Sequence, residues 1–144
     1  MNHALISIRA EHVAHILAGE KTIELRTTNL NLSQGQSIWI YTKLPIGAVE
    51  AVAQVKKIYR LPPNDTWKKF SKQIKIPEQH FKTYTEGRSK ITSIELTCIR
   101  KLENPLTLRD LKNIDPSFHP PQTALYLSSI NLIRKALTEK YNFI

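Results

Sequence analysis

Three residues within a short span carry chemistry that no other stretch of this sequence matches: Lys21, Glu24 and Arg26. An ammonium offers three donors and a point charge, and a carboxylate only accepts. A guanidinium presents a planar fork suited to phosphate or to a carbonyl edge. Glu24 can take the exocyclic amine of a base, as carboxylates do for cytosine. Together the three suit a polar, planar, partly anionic ligand. Lys21 and Glu24 are also candidate catalytic groups: a lysine of lowered pKa acts as a base or steadies an oxyanion, and a carboxylate shuttles the proton. The same residues equally fit a salt-bridged cluster with a structural role, because ion-pair networks arise for both reasons.

Further candidates for ligand contact lie elsewhere in the chain. Trp39 and Tyr41 share one face of a strand. Trp39 reads as core, whereas Tyr41 and Thr42 sit nearer the strand end and are the better pocket residues. Gln122 follows Pro120-Pro121, where its amide can read a base edge or lock the loop. Arg9 ends the first strand and either reaches a phosphate or is solvated. The five histidines (His3, His12, His15, His80 and His119) show no metal-ligand spacing, so neither a metal nor another cofactor is expected. The one cysteine, Cys98, excludes a disulfide framework and, placed in an apolar run, reads as an inert core thiol.

The elements that must position these groups follow from periodicity. Ala4 to Arg9 reads as a strand. Val13, Ile16 and Leu17 mark one face of a short helix that Gly19 stops. In Thr22 to Arg26, Ile23 and Leu25 point one way while Thr22, Glu24 and Arg26 point the other. That alternation makes a half-buried strand whose polar face carries the carboxylate and the guanidinium. Gln34-Gly35-Gln36 turns the chain into a strand over Ser37 to Thr42, and Ala48 to Tyr59 is a long strand. Asn64 and Asp65 are candidate caps for a helix with Trp67, Phe70 and Ile74, and Pro77 opens a helix with Phe81 and Tyr84 that ends at Gly87. Ile91 to Leu102 alternates as a strand. Thr107 with Asp110 resembles a capping box, Thr123 to Leu127 is a short strand, and Ser128 or Ser129 caps a final helix with Ile130, Ile133, Leu137 and Tyr141 on one face.

Composition bounds the rest. A chain of 144 residues, 41% hydrophobic and 23% charged, is the size and polarity of one globular domain, so a single domain over residues 1–144 is expected. Met1 to Ile8 is too short and too soon followed by Glu11 for a signal peptide, and no run approaches the roughly 20 apolar residues of a membrane span. The expectation is a cytoplasmic protein without a membrane partner. The formal charge of +9 points to a polyanionic partner, nucleic acid first, against a basic surface that serves only solubility.

The run Gly19-Glu20-Lys21-Thr22-Ile23-Glu24-Leu25-Arg26 resembles the signature G-x-K-x-x-E-x-R of the ASCH domain family, within the PUA-like superfamily. The later landmarks are similar to the branch described as predicted transcriptional regulators: Trp67, the segment Phe81-Lys82-Thr83-Tyr84-Thr85-Glu86-Gly87, Pro105-Leu106, and Pro120-Pro121-Gln122 ahead of Tyr126. The likeness covers nearly the whole chain. It implies an α+β fold, a PUA-like mixed, mostly antiparallel β-barrel with peripheral helices and a cleft beside the signature. It also implies roles in RNA metabolism or transcription. Some small ASCH proteins deacylate an N4-acylated cytidine and others are ribonucleases. In the amidohydrolase type a threonine stands where this chain has Glu24, so that mechanism does not carry over as it stands.

Three function classes follow. The leading one is a module that binds RNA or a modified nucleobase in a polar pocket. The alternative is a hydrolase, acting on an acylated nucleoside such as N4-acetylcytidine or on RNA. The third is a protein-interaction module in transcription that uses the inserted helices around Trp67 and Phe81.

Overall fold

The computed structural model describes residues 1–143. Along the chain run β1 (His3–Ile8), α1 (Ala10–Leu17), β2 (Ile23–Arg26), β3 (Ser37–Thr42) and β4 (Ala48–Leu61). They are followed by α2 (Pro63–Ile74), α3 (Glu78–Thr85), β5 (Ile91–Thr107), α4 (Leu108–Ile114), β6 (Leu125–Leu127) and α5 (Leu132–Lys140). The strands form one sheet in the order β2-β5-β4-β3-β1-β6. Only the β1–β3 pairing is parallel.

Alternation of side chains divides the core. Ala4, Ile6, Ile8, Ile38 and Ile40 pack with Val13 and Ile16 of α1 on one face. The intervening Leu5, Trp39 and Tyr41 pack on the other face under α4 and α5, with Leu111, Ile133, Leu137 and Tyr141. A third cluster joins Ile23 and Leu25 of β2 to Phe70, Ile74 and Phe81 of the α2–α3 pair. Glu24 and Arg26, alternating with that apolar pair, are left out of this cluster.

The expected barrel is not closed. The sheet is open, with β2 at one edge and β6 at the other. Its ends still curl toward each other, since an Arg26 Nη donates to the Ser7 carbonyl at 2.9 Å and the Asn31 amide donates to the Tyr126 hydroxyl at 3.2 Å. β6 pairs with β1 only along His3 to Leu5, so the rest of that edge of β1 has no strand beside it. A four-residue β2 and a three-residue β6 are too short to complete the ladder, and side chains bridge the seam instead.

Other sequence expectations shift locally. Cys98 is exposed, not core: the β4–β5 register slips between Val52 and Gln54, and Cys98 at φ 52° lies in the resulting bulge, where alternation fails. The α2 N-cap is Pro62 with Pro63 in the first turn, in place of Asn64 or Asp65. Asn131 caps α5 by accepting from the Arg134 amide, in place of Ser128 or Ser129, which leaves Ile130 exposed. The Thr107–Asp110 capping box is present and opens α4. No helix among the described residues is long and apolar enough to cross a membrane.

Candidate functional site

The open seam between β1 and β2 holds a cleft of about 180 Å³, lined among others by Ser7, His12, Lys21, Glu24, Arg26 and Tyr84. Lys21 enters from the turn after α1, where Gly19 adopts φ +78° and reverses the chain. Its Nζ donates to the Ile74 carbonyl at 2.8 Å, the C-terminal end of α2, where a cation opposes the helix dipole. The same Nζ lies 3.7 Å from Glu24 Oε1, and an Arg26 Nη lies 3.0 Å from Glu24 Oε2. The three side chains are 3%, 9% and 14% exposed, so the ion triad is nearly desolvated. Burial pushes the Lys21 ammonium below its ordinary pKa, with Glu24 opposing the shift.

Two cations against one carboxylate leave this floor with a net positive charge. Three polar atoms in the wall have no partner: Arg26 Nε, Ser7 Oγ and His12 Nδ1, each buried. Burying an unpaired polar atom costs about 1–3 kcal/mol, and among the described residues three of the five such side-chain atoms belong to residues that line this cleft. Burial is also the main reason the His12 pKa lies below its ordinary value, and the charge on Lys21 adds to the shift. His12 is therefore neutral at physiological pH and can accept a proton. Burial raises the Tyr84 pKa, and its hydroxyl donates to the Leu25 carbonyl at 3.3 Å.

Outside the cleft lies a wider vestibule of about 670 Å³ that shares Arg9, His12, Ile76 and Tyr84 with it and adds His15, Lys75 and His80. Arg9 is exposed and pairs with Glu11 at 3.4 Å, so it lies at the mouth. Among the described residues no group of three or more His, Cys, Asp or Glu side chains could hold a metal ion.

Of the sequence candidates, the fold brings Lys21, Glu24, Arg26 and Arg9 together. Three others stand apart. Tyr41 is buried in the α4–α5 face against Phe118, and its side chain lines neither cleft nor vestibule. The Thr42 hydroxyl donates to Glu50 at 2.6 Å. Gln122 is exposed in the segment before β6. Both Tyr41 and Thr42 point away because β3 lies between β1 and β4, inside the sheet and not at its seam. The sequence reading missed Ser7, His12, Lys43 and Tyr84 as wall residues. Tyr84 belonged to a recognised landmark segment, but nothing in periodicity places α3 across from β1.

The chain matches the family described as "Domain of unknown function (DUF365)" over residues 5–115 and belongs to it. It is 31% identical over 137 residues to an ASCH domain-containing ribonuclease of Zymomonas mobilis subsp. mobilis, covering 95% of this chain and 88% of that protein. The chain belongs to the ASCH family. The crystal structure of ASCH from Zymomonas mobilis, at 29% identity, superposes with a TM-score of 0.88 over 94% of each chain. A crystal structure of a protein from Pseudomonas syringae, at 9% identity, gives 0.63 over 96% of this chain and 99% of that one, a likeness of fold alone. In this ASCH domain the signature lysine, glutamate and arginine form the ion triad at the floor of the cleft.

Proposed function

We propose that this protein is an RNA-binding ASCH module, a single cytoplasmic domain, that takes one unpaired nucleotide into the cleft. The observation that carries the reading is a cleft whose lining combines the Lys21–Glu24–Arg26 triad with unpaired polar atoms on Ser7, His12 and Arg26. A base entering between Tyr84, Leu25 and Ile76 meets a donor from Arg26, a hydroxyl from Ser7 and the free Glu24 lone pairs. Phosphates then fall among Arg9, Lys43 and Lys75 at the mouth. The cleft is smaller than the pockets that hold drug-sized ligands, which suits a base with its sugar left outside. A role in RNA metabolism or transcription regulation is the wider setting that the family suggests.

A second reading is favoured by the ribonuclease to which the chain is 31% identical and by the neutral His12 beside Lys21. The neutral His12 imidazole would accept the proton of a ribose 2′-hydroxyl as that oxygen attacks the adjacent phosphorus. The P–O5′ bond breaks, the leaving oxygen takes a proton from solvent or Lys21, and a 2′,3′-cyclic phosphate is left. The inserted helices do not favour the interaction-module reading, because Phe70, Ile74 and Phe81 are buried against β2.

Calorimetric titration with nucleoside monophosphates and short single-stranded RNAs, at low and high salt, tests the binding. Absence of binding at low salt would overturn it. Chromatography of the RNA after incubation tests the cleavage, with cyclic-phosphate ends as the expected product. Adding N4-acetylcytidine to the panel reads the remaining hydrolase alternative as released acetate.

A further inference from the structure

The vestibule does not end at Lys75. A further depression of about 550 Å³ shares His15, Lys75, Ile76 and Pro77 with it and continues over Ser71 and Lys72 of α2. Cleft, vestibule and this depression adjoin through these shared residues, and the last reaches α2 at Ser71 and Lys72. On α2 the residues facing the core are Thr66, Phe70 and Ile74. Lys68 and Lys72, one turn apart, stand on the opposite side, exposed, and Lys75 closes the helix at φ 55° in the same line. One helical turn from i to i+4 rises about 6 Å, which is close to the step between phosphates of an extended single strand. Neither Lys68 nor Lys72 takes part in an ion pair among the described residues, and Lys75 reaches Glu20 at only 3.6 Å. Lys69, the next residue of the helix, lies 5.0 Å from the Tyr59 ring centroid, with Lys57 at 5.1 Å from the same ring.

We infer that the outer face of α2 is a strand track: the backbone of single-stranded RNA, anchored by one nucleotide in the cleft, runs along Lys75, Lys72 and Lys68. The inference rests on the cleft reading above. The track supplies affinity by phosphate neutralisation and no base selectivity, because the lysines face phosphate and the polar atoms that could read a base edge lie in the cleft. Lysines in the last turn also oppose the helix dipole, a role that Lys72 and Lys75 fill without RNA. Lys68 lies far enough from that end to separate the two roles.

The test uses 2′-O-methyl oligoribonucleotides, which cannot be cleaved through a 2′-hydroxyl, and measures fluorescence anisotropy over a range of salt. The wild-type protein should bind a labelled octamer at least about tenfold more tightly than a mononucleotide. K68Q/K72Q should lose most of that gain and lower the salt slope by about 1.4, at roughly 0.7 per contact on a single strand. Its affinity for a mononucleotide should be unchanged. The control pair K112Q/K135Q, equal in charge and carried by α4 and α5, should leave the octamer affinity in place. Equal effects from the two pairs would overturn the track in favour of diffuse charge. A wild-type protein that binds the mononucleotide but gains nothing with length would overturn the track alone. A wild-type protein that binds no mononucleotide would overturn the cleft reading, and with it a track that starts there.

Discussion

Replacing Glu24 by Gln separates the two things this side chain does. The swap keeps shape and leaves Lys21 and Arg26 sharing an amide where they had shared a carboxylate. With the three side chains at 3%, 9% and 14% exposure, the pairs lie outside the surface regime in which ion pairs are worth little. Removing one member of a buried pair costs about 3–5 kcal/mol. Glutamine still accepts from Arg26 at the 3.0 Å position, so the lower end, about 3 kcal/mol, applies. For a chain of this length that is a fall in Tm of about 8–10 °C. The ligand effect is separate. Glu24 Oε1 is held only by the longer 3.7 Å contact, so it has lone pairs to offer an exocyclic amine. Loss of that acceptor should reduce the preference for cytidine over uridine monophosphate by about 1–3 kcal/mol, roughly 5- to 150-fold. Differential scanning calorimetry reads the first effect and isothermal titration with the two nucleotides reads the second. A Tm within about 2 °C of the parent would refute the triad as a stabilising element. An unchanged nucleotide preference would refute Glu24 as a base reader.

Ile133→Asp places a charge in the α5 contact, where Ile133 is 1% exposed, and should cost several kcal/mol; a variant that melts like the parent would mean that α5 is not docked. His3 accepts from Trp39 Nε1 at 3.0 Å, and its pKa is lowered from 6.5 to about 4, chiefly by burial and then by Arg134 and the chain's amino terminus. The unfolded chain therefore takes up this proton first, so the stability it contributes is complete above pH 6.5 and is lost as pH falls toward 4. Full conversion of the shift would give about 3 kcal/mol, and screening at a half-buried ring reduces it to about 1–2. His3→Gln, which keeps an acceptor for Trp39, should flatten denaturation midpoints between those pH values; curves parallel to the parent's would refute this. Tyr84→Ala should weaken RNA binding by about 1–3 kcal/mol through lost stacking and cost about 1 kcal/mol of stability through the lost hydrogen bond to the Leu25 carbonyl; full affinity in titration would remove Tyr84 from the site.

The strands, their faces and the ion triad were legible because each depends on short-range pattern. Ile23 and Leu25 against Glu24 and Arg26 is a period of two, and it survives into the fold with the apolar pair under α2–α3. The Thr107–Asp110 box reads from spacing alone. What failed depends on partners distant in sequence. Cys98 lies where β4 and β5 slip register, which depends on a pairing partner in β4, far away in the chain. Tyr41 and Thr42 sit at a strand end, as the sequence says, but that strand is inside the sheet and its end is not the seam. Ser7 and His12 are unremarkable in sequence; they matter because the open edge of β1 comes to face β2.

That open edge is where fold and site become one argument. Had the sheet closed, the Ser7 carbonyl would have met a backbone amide of a longer β2, and no cleft would have formed. Instead β2 stops at Arg26, whose side chain reaches across the gap to the Ser7 carbonyl at 2.9 Å. A guanidinium has more donors than one carbonyl and one carboxylate oxygen use, and its Nε is left buried without a partner among the described residues. The α2–α3 pair beside that gap is anchored through neighbouring residues of the same signature run. Lys21 holds the last carbonyl of α2, the Thr22 amide donates to the Gln73 carbonyl at 3.0 Å, and Tyr84 of α3 reaches the Leu25 carbonyl. The signature residues thus hold α2–α3 in place and at the same time supply the cleft's charge. Lys21 belongs to both sets of contacts, since one ammonium holds the end of α2 at 2.8 Å and faces Glu24 at 3.7 Å, so a change in the triad's charge is felt by the α2–α3 pair as well.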